Sequence, residues 1–358
     1  MRKIVKMVIP ALICGLFFTL IGCEKPINED NIPVAETPKL DGWEISKSSL
    51  GIEISPHPCD MHFINSEIGF FVGYWGQIYK TTNAGKSWQE QNSGTTTNLV
   101  SVFFIDENTG FISSQTGGYD DDTRCVLLKT ADGGITWEKT PFDNYLAIRC
   151  LHFFDHMNGL AIIRLPNISN GKDCVIAKTS NGGINWEFTS LNGFTALDNF
   201  LCVDNIVFIK GENQEILKSK DLGHSWETIH IPLQASTYIR SLYFLNENVG
   251  YVVGINGDIY KTIDGGLNWK KINCPFLSFE IVHFYNEMEG FNIVSVSEYD
   301  GGDYPSYKGC FSYQTYDGGV TWNKSELINS GHWGITYFVQ KDLGYGLNST
   351  EFYTIKRK

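Results

Sequence analysis

Long apolar segments are almost absent from this sequence of 358 residues. After residue 22, no apolar run approaches the roughly 20 residues with which a helix crosses a bilayer. Positive charge is also scarce, with 28 Lys and Arg against 40 Asp and Glu, and a formal net charge of −12. Because nucleic-acid binding requires a basic surface, we expect no nucleic-acid partner.

Metal-ligand and disulfide patterns are missing too. The eight His have no paired ligand spacing and no two Cys are separated by two residues, so we expect no metal and no cofactor. Seven Cys follow Cys23, an odd number that cannot be fully paired within one chain. We interpret them as small buried thiols, with a disulfide between Cys125 and Cys174 as the alternative.

The first 22 residues have the pattern of a secretory signal. Three basic residues precede an apolar stretch over residues 7–21, which ends in Leu20-Ile21-Gly22-Cys23. This ending resembles the bacterial lipobox, in which the Cys is lipidated and becomes the new N-terminus. We therefore expect an exported protein, lipid-anchored through Cys23 in the bacterial cell envelope, at the periplasmic or surface face of the outer membrane. Residues 23–41, rich in Pro, Asn and Glu, are expected to form a flexible tether.

Trp marks an internal repeat. The pattern Ser/Thr-x-Asp/Asn-x-Gly-x-x-Trp occurs six times between residues 81 and 322. The Asp or Asn can accept hydrogen bonds from its own turn, the Gly permits a positive φ, and the Trp buries apolar area beneath the turn. We interpret each copy as a structural hairpin between two antiparallel strands. The six pairs of turn acceptor and Trp are Asn83 and Trp88, Asp132 and Trp137, Asn181 and Trp186, Asp221 and Trp226, Asp264 and Trp269, and Asp317 and Trp322.

A second pattern precedes these hairpins: a strand ending in an aromatic residue, a turn, and a Gly that opens another strand, as in Phe244 and Gly250. Together the two patterns give four strands per repeat, the unit of a propeller blade. The last repeat, with Phe338 and Gly344, lacks the hairpin, whereas Trp43 begins an isolated strand near the start. We therefore expect an all-β fold over residues 42–358. It is a seven-bladed β-propeller of four-stranded antiparallel blades, closed by an N-terminal strand that joins the last blade.

The combined pattern resembles the photosystem II stability/assembly factor-like family of Asp-box (BNR-repeat) propellers. The resemblance covers residues 42–358 and implies seven blades; members of that family assist the assembly of membrane complexes. Asp-box propellers also include sialidases and glucan-cleaving hydrolases. Only five Arg follow residue 22, and we therefore expect no sialidase Arg triad. The glucan-cleaving relatives use a cleft between two propellers, and this chain encodes one.

The resemblance places binding on the face opposite the repeat turns. Ten residues before the Gly of the second pattern lie Arg149, Arg240 and Glu280, which we expect at the mouth of the central channel. Three loops between second and third strands are long, and two of them, over residues 117–122 and 299–304, are rich in Gly, Tyr and Asp, a composition suited to recognition. The candidate aromatic contacts are Tyr119, Tyr299, Tyr304 and Trp333.

These features favour a monomeric, non-catalytic binding or assembly-factor-like protein with a protein or glycan partner outside the cytoplasm. The acidic loops leave calcium binding open. They also leave open an alternative function, a glycan-active hydrolase of the sialidase or glucanase type, in which loop carboxylates act as acid and base.

Overall fold

The structure is a computed structural model that describes residues 42–50, 58–116, 125–142, 145–165, 174–189, 191, 197, 200–211, 214–233, 238–254, 258–272, 281–298, 306–329, 334–348 and 350–358. These residues form 28 β-strands and a single-turn 3₁₀ segment, Tyr74–Gly76. Within these ranges no helix is long and apolar enough to cross a membrane.

Five of the sheets are antiparallel and four-stranded. Each of the following four contains consecutive strands. The first sheet contains β2 (Pro58–Phe63), β3 (Gly69–Gly73), β4 (Ile78–Thr81) and β5 (Gln89–Gln91). The second contains β14 (Phe200–Val203), β15 (Ile206–Lys210), β16 (Glu215–Ser219) and β17 (Glu227–His230). The third contains β18 (Ile239–Phe244), β19 (Gly250–Gly254), β20 (Ile259–Thr262) and β21 (Lys270–Ile272), and the fourth contains β22 (Ile281–Phe284), β23 (Gly290–Glu298), β24 (Ser306–Thr315) and β25 (Asn323–Asn329).

The fifth four-stranded sheet joins the two ends of the described chain, as the sequence predicts. Its order is β1 (Trp43–Ser49), β28 (Glu351–Arg357), β27 (Leu343–Leu347) and β26 (Ile335–Gln340). Strand β1 pairs antiparallel with β28 over its whole length, and the Lys358 N–H donates to the Gly42 carbonyl at 2.9 Å. This pairing covers the outer edge of β28, which would otherwise expose unpaired backbone groups.

The remaining strands form one eight-stranded sheet, so the expectation of seven separate four-stranded blades is wrong and five such blades are found. Residue Gln115 pairs with Ala147, and the Thr116 N–H donates to the Leu146 carbonyl at 2.7 Å. These bonds connect two successive repeats into one sheet. Its strands are β6 (Asn98–Phe104), β7 (Gly110–Gln115), β8 (Cys125–Thr130), β9 (Glu138–Phe142), β10 (Ala147–Phe153), β11 (Gly159–Arg164), β12 (Cys174–Thr179) and β13 (Glu187–Thr189).

The repeat turns follow the hydrogen-bonding scheme predicted from their sequence. In the turn after β20, Asp264 Oδ1 accepts from the Asn268 N–H at 2.9 Å and from the Thr262 hydroxyl at 2.8 Å. The Gly266 N–H donates to the same hydroxyl, with Gly266 at a φ of +98°. Equivalent side-chain acceptors serve the other five turns. These side chains stabilise the turns locally, as expected of structural residues.

Aromatic stacking between neighbouring blades explains the second sequence pattern. In four repeats the ring that follows the Gly stacks on the Phe that ends the first strand of the next repeat. Examples are Tyr251 on Phe284, with ring centroids 3.7 Å apart, and Phe70 on Phe104, at 4.0 Å. The same contact joins the last repeat to the first, where the Tyr345 ring lies 4.0 Å from Phe63. Aromatic burial therefore makes these repeats depend on their neighbours for stability.

None of the described cysteines forms a disulfide; Cys125, Cys150, Cys174 and Cys310 are buried, as interpreted from the sequence, whereas Cys59 and Cys202 are half-buried. The alternative disulfide between Cys125 and Cys174 is absent. The two side chains belong to different hydrophobic clusters, and the Cys125 thiol instead donates to the Ser114 carbonyl at 3.1 Å. Burial raises the pKa of Cys125 to about 11, so this thiol stays protonated and unreactive.

Candidate functional site

A cavity of about 470 Å³ opens where the innermost strands begin, and we call it the mouth. It contains three cationic side chains: Arg149 on β10, Lys210 at the end of β15 and Arg240 on β18. Both Arg residues are exposed, and Asp60 of β2 is the carboxylate among the described lining residues. The described remainder of the lining is Cys59, Val100, Ser101, Cys150, Phe200, Leu201, Ser241 and Leu242.

β-Bulges place the charged side chains at this opening. The strand register shifts between Ile148 and Cys150, which makes Arg149 the extra residue of β10, and an identical shift makes Arg240 the extra residue of β18. A bulge turns its extra residue away from the regular alternation of a strand and commonly lies beside a binding site. Residues Cys59 and Val100 occupy the corresponding bulges of β2 and β6. The position ten residues before the Gly of the second pattern, which the sequence analysis placed at the mouth, is therefore the position of a β-bulge in these four strands.

Residue Asp60 is held rigidly in the wall of the mouth. Its Oδ2 accepts from the Val102 N–H at 2.9 Å, and its Oδ1 accepts from the Met61 N–H at 2.8 Å. Burial raises the pKa of the Asp60 carboxyl to about 6, against the opposing effect of these hydrogen bonds and one from Ser101. The carboxyl therefore changes charge between mildly acidic and neutral pH.

A second cavity of about 650 Å³ continues from the mouth along the inner strands and shares Asp60, Ser101, Phe200 and Leu201 with it. Its wall carries a series of rings in contact. The His62 ring lies 4.9 Å from both Phe103 and Tyr337, and Phe103 lies 4.7 Å from His152. On another part of the wall, His283 stacks on Phe338 at 3.6 Å. We call this cavity the channel.

The channel histidines are neutral groups. Burial lowers the pKa of His62 to about 3, and the pKa values of His152 and His283 to about 4. At neutral pH these imidazoles carry no charge, so the cation among the described lining residues of the channel is Lys341. In the described part of the chain, no group of three or more His, Cys, Asp or Glu side chains could hold a metal ion.

The structure brings together two of the predicted site residues, Arg149 and Arg240. The other predicted site residues lie outside the described residues: Glu280, Tyr119, Tyr299, Tyr304, Trp333 and the lipidation candidate Cys23. Sequence reasoning missed Lys210, Asp60 and an exposed aromatic residue, Trp75. Two features of the sequence could have indicated them. Asp60 directly follows Cys59, which lies ten residues before a Gly of the second pattern, and Trp75 lies in a short connection between two strands.

No protein-family model and no curated protein matches the sequence. Among solved structures, the chain is similar to YCF48 bound to D1 peptide, with a TM-score of 0.68, 18% identity, and coverage of 88% of this chain and 97% of that one. YCF48 from Cyanidioschyzon merolae has a TM-score of 0.65 and 15% identity, covering 88% and 99%. The Niastella koreensis GH74 enzyme has a TM-score of 0.64 and 15% identity, covering 86% of this chain but 53% of the enzyme. At these identities the likeness concerns the fold, and the chain is a β-propeller of four-stranded antiparallel blades.

Proposed function

We propose that this chain is a non-catalytic, lipid-anchored propeller that binds a protein partner outside the cytoplasm at its mouth. The observation that carries the proposal is the cluster of Arg149, Lys210 and Arg240 in one cavity. The whole chain is acidic, with a net charge of −12, so a cationic cavity stands out against its own surface. Such a cavity attracts an acidic segment and favours its correct orientation.

The geometry of the mouth also suits recognition of carboxylates. Arg guanidinium groups can bind a carboxylate through two parallel hydrogen bonds, which adds specificity to attraction. Bulges position both Arg side chains on rigid strands. The fold relative YCF48 is known bound to D1 peptide, which is a precedent for peptide binding by a propeller of this fold. Neither argument extends a photosynthetic role to this chain.

The binding proposal is tested by capture from the native envelope with the full chain as bait. We expect a protein to be retained by the wild type and reduced about tenfold on Arg240→Ala, because Arg residues at the centre of an interface contribute strongly to affinity. The matched control is Lys220→Ala, an exposed cation paired with Glu227 at the opposite ends of the strands. Equal retention by both variants would reject the mouth as the site, and retention of a polysaccharide in place of a protein would favour a glycan partner.

The membrane anchor is proposed from the lipobox-like segment. Replacing Cys23 with Ala should leave the protein exported but move it from the membrane to the soluble envelope fraction, because the acylated residue is lost. Immunoblots of the two fractions measure this. A variant that sediments with membranes like the wild type would show that the anchor is wrong while leaving the binding proposal intact.

The alternative function is that of a glycoside hydrolase, which the similarity in fold to the GH74 enzyme supports. Hydrolysis requires two carboxyl groups about 5–10 Å apart. The described mouth contributes Asp60 alone, with its oxygens occupied by backbone donors. The candidate loop carboxylates Asp120, Asp300 and Asp303 lie outside the described residues. Turnover on a panel of chromogenic glycosides and polysaccharides, abolished by Asp300→Asn, would establish the hydrolase and reject the non-catalytic proposal.

A further inference from the structure

An exposed aromatic side chain lies in the connection between β3 and β4. Trp75 is 39% exposed, although Trp usually buries most of its area. Its backbone is left-handed, with a φ of +58°. Bulky residues rarely adopt this conformation, and where they do the site is frequently functional.

In the sequence, another repeat has a small polar residue at the position of Trp75. In the repeat that contains β19 and β20, the sequence Gly254-Ile255-Asn256-Gly257 corresponds to Gly73-Tyr74-Trp75-Gly76. Asn tolerates a left-handed backbone far better than Trp, because its short polar side chain can bond locally. The indole therefore occupies a position at which a small polar residue would fold more easily.

Neighbouring contacts hold Trp75 in this unfavourable conformation. Its backbone N–H donates to Asn98 Oδ1 at 3.2 Å, and its ring makes an edge contact with the Tyr74 ring, with 6.4 Å between the ring centroids. The following Gly76 is also left-handed and packs so closely that an added Cβ would lie 1.9 Å from the Thr95 carbonyl. The surrounding chain thus fixes an exposed indole, as expected for a preorganised contact.

Trp75 lies on the same face as the mouth and close to it. Strand β3 pairs Val72 with Asp60, a mouth residue, and Trp75 is three residues further along. Its partner Asn98 is two residues before Val100, which also lines the mouth. Strand spacing and rise place Trp75 within about 15 Å of Asp60, a span that about five residues of extended peptide would cover.

We infer that Trp75 is an aromatic contact for an apolar side chain of the acidic segment that binds in the mouth. The inference rests on the proposed function, since the charge of the mouth selects an acidic polypeptide. Trp is among the residues that contribute most to protein interfaces, because it buries a large area at little entropic cost. Together, the cations of the mouth and the indole of Trp75 would recognise a peptide in which an apolar residue lies about five positions from a cluster of acidic residues.

The test uses the full chain labelled with 5-fluorotryptophan and two synthetic acidic peptides. One carries a Leu about five residues from its Asp/Glu cluster, and the other carries Gly there. We expect the Leu peptide to bind the wild type about tenfold more tightly and to shift the ¹⁹F resonance of Trp75, assigned with Trp75→Phe among the nine Trp. In Trp75→Asn the preference should fall to about twofold or less, with the affinity for the Gly peptide unchanged.

The control variant is Phe188→Ala, which removes a comparably exposed aromatic ring, 44% exposed, on strand β13. It should keep the preference for Leu. Thermal melting checks folding, and Trp75→Asn should melt no lower than the wild type because it relieves the left-handed strain. An unchanged preference in Trp75→Asn, or an unmoved Trp75 resonance, would overturn the inference while leaving the mouth proposal standing. Failure of both peptides to bind would overturn both.

Discussion

At the residue scale, carboxylates in this protein serve two purposes that their surroundings distinguish. In a repeat turn, Asp264 lies at the surface and hydrogen bonds from Asn268 and Thr262 lower its pKa to about 2. At the mouth, burial raises the pKa of Asp60 to about 6. The first carboxylate stabilises a turn in its charged form, whereas the second can gain or lose charge where a partner would bind.

Removing the turn acceptor should reduce stability without affecting binding. Asp264→Ala should melt below the wild type at pH 7, because the Asn268 and Thr262 donors lose their acceptor. Asp264→Asn, which keeps an acceptor oxygen, is the control and should lie between them. Because the folded pKa is depressed, the advantage of the wild type is present above pH 4 and is lost as pH falls towards 2. Thermal melts from pH 2 to 7 measure this; a gap that widens on acidification would contradict it.

Titration of Asp60 should make partner binding depend on pH. Below about pH 6 the carboxyl is protonated, the mouth becomes more positive, and an acidic partner should bind about fivefold more tightly at pH 5 than at pH 7.5. The channel histidines have pKa values of about 3 to 4 and do not titrate in this window. The affinity of Asp60→Asn should be nearly independent of pH across the same interval, and an equal pH response in both proteins would show that another group is responsible.

The same shift has a consequence for stability. Because the folded pKa of Asp60 is raised from 3.8 to about 6, its contribution is complete below about pH 4 and is lost as pH rises through 6. Urea unfolding should therefore find Asp60→Asn more stable relative to the wild type at pH 7.5 than at pH 4.

The residues that sequence analysis placed at the mouth came from a register that the repeat supplied. Counting back from the Gly of the second pattern placed Arg149 and Arg240 at the mouth, because β2, β6, β10 and β18 each carry a bulge at that position. Residue Lys210 was not found because it lies on β15 of the one repeat without that Gly. Trp75 was not found because the sequence of a short turn does not indicate which of its residues adopts a left-handed backbone, and that conformation is what distinguishes Trp75.

At the element scale, the first strand completes the last sheet. Trp43 is 8% exposed, and its ring lies 4.8 Å from Phe291 and 6.5 Å from Phe338, side chains of β23 and β26. Pairing with β28 was predictable because the last repeat lacked one strand and the first residues of the propeller offered one. The link between β7 and β10 was not predictable, since it depends on one residue pair and on the two hydrogen bonds from Thr116 to the Leu146 carbonyl at strand ends.

Truncation of Trp43 should loosen this closure. Trp43→Ala should reduce the free energy of unfolding by about 3–5 kcal/mol, the usual cost of removing a buried large aromatic side chain. Trp43→Phe keeps part of the packing and should cost less. Chemical denaturation gives the energies, and hydrogen exchange should show faster exchange of β28 amides in Trp43→Ala. A variant as stable as the wild type would mean that β1 contributes little to the fold.

At the scale of the whole molecule, the strand ends divide the protein into two faces with different chemistry. Repeat turns, with their exposed apolar residues and internally bonded carboxylates, occupy one end of the strands. The mouth, with its bulged cations and the neighbouring Trp75, occupies the other. The stacked aromatic rings between blades hold both in place, so the turns can serve stability while the mouth remains available for binding.

The most direct measurement of the central claim is site-specific photocrosslinking in the native envelope. A benzophenone amino acid is introduced at Val100 in the mouth and, separately, at Leu267 in a repeat turn, which is 83% exposed. The account predicts a crosslinked protein from the Val100 site that is lost when Arg240→Ala is added, and none from the Leu267 site. Crosslinks from Leu267 without any from Val100, or Val100 crosslinks that persist with Arg240→Ala, would contradict binding at the mouth.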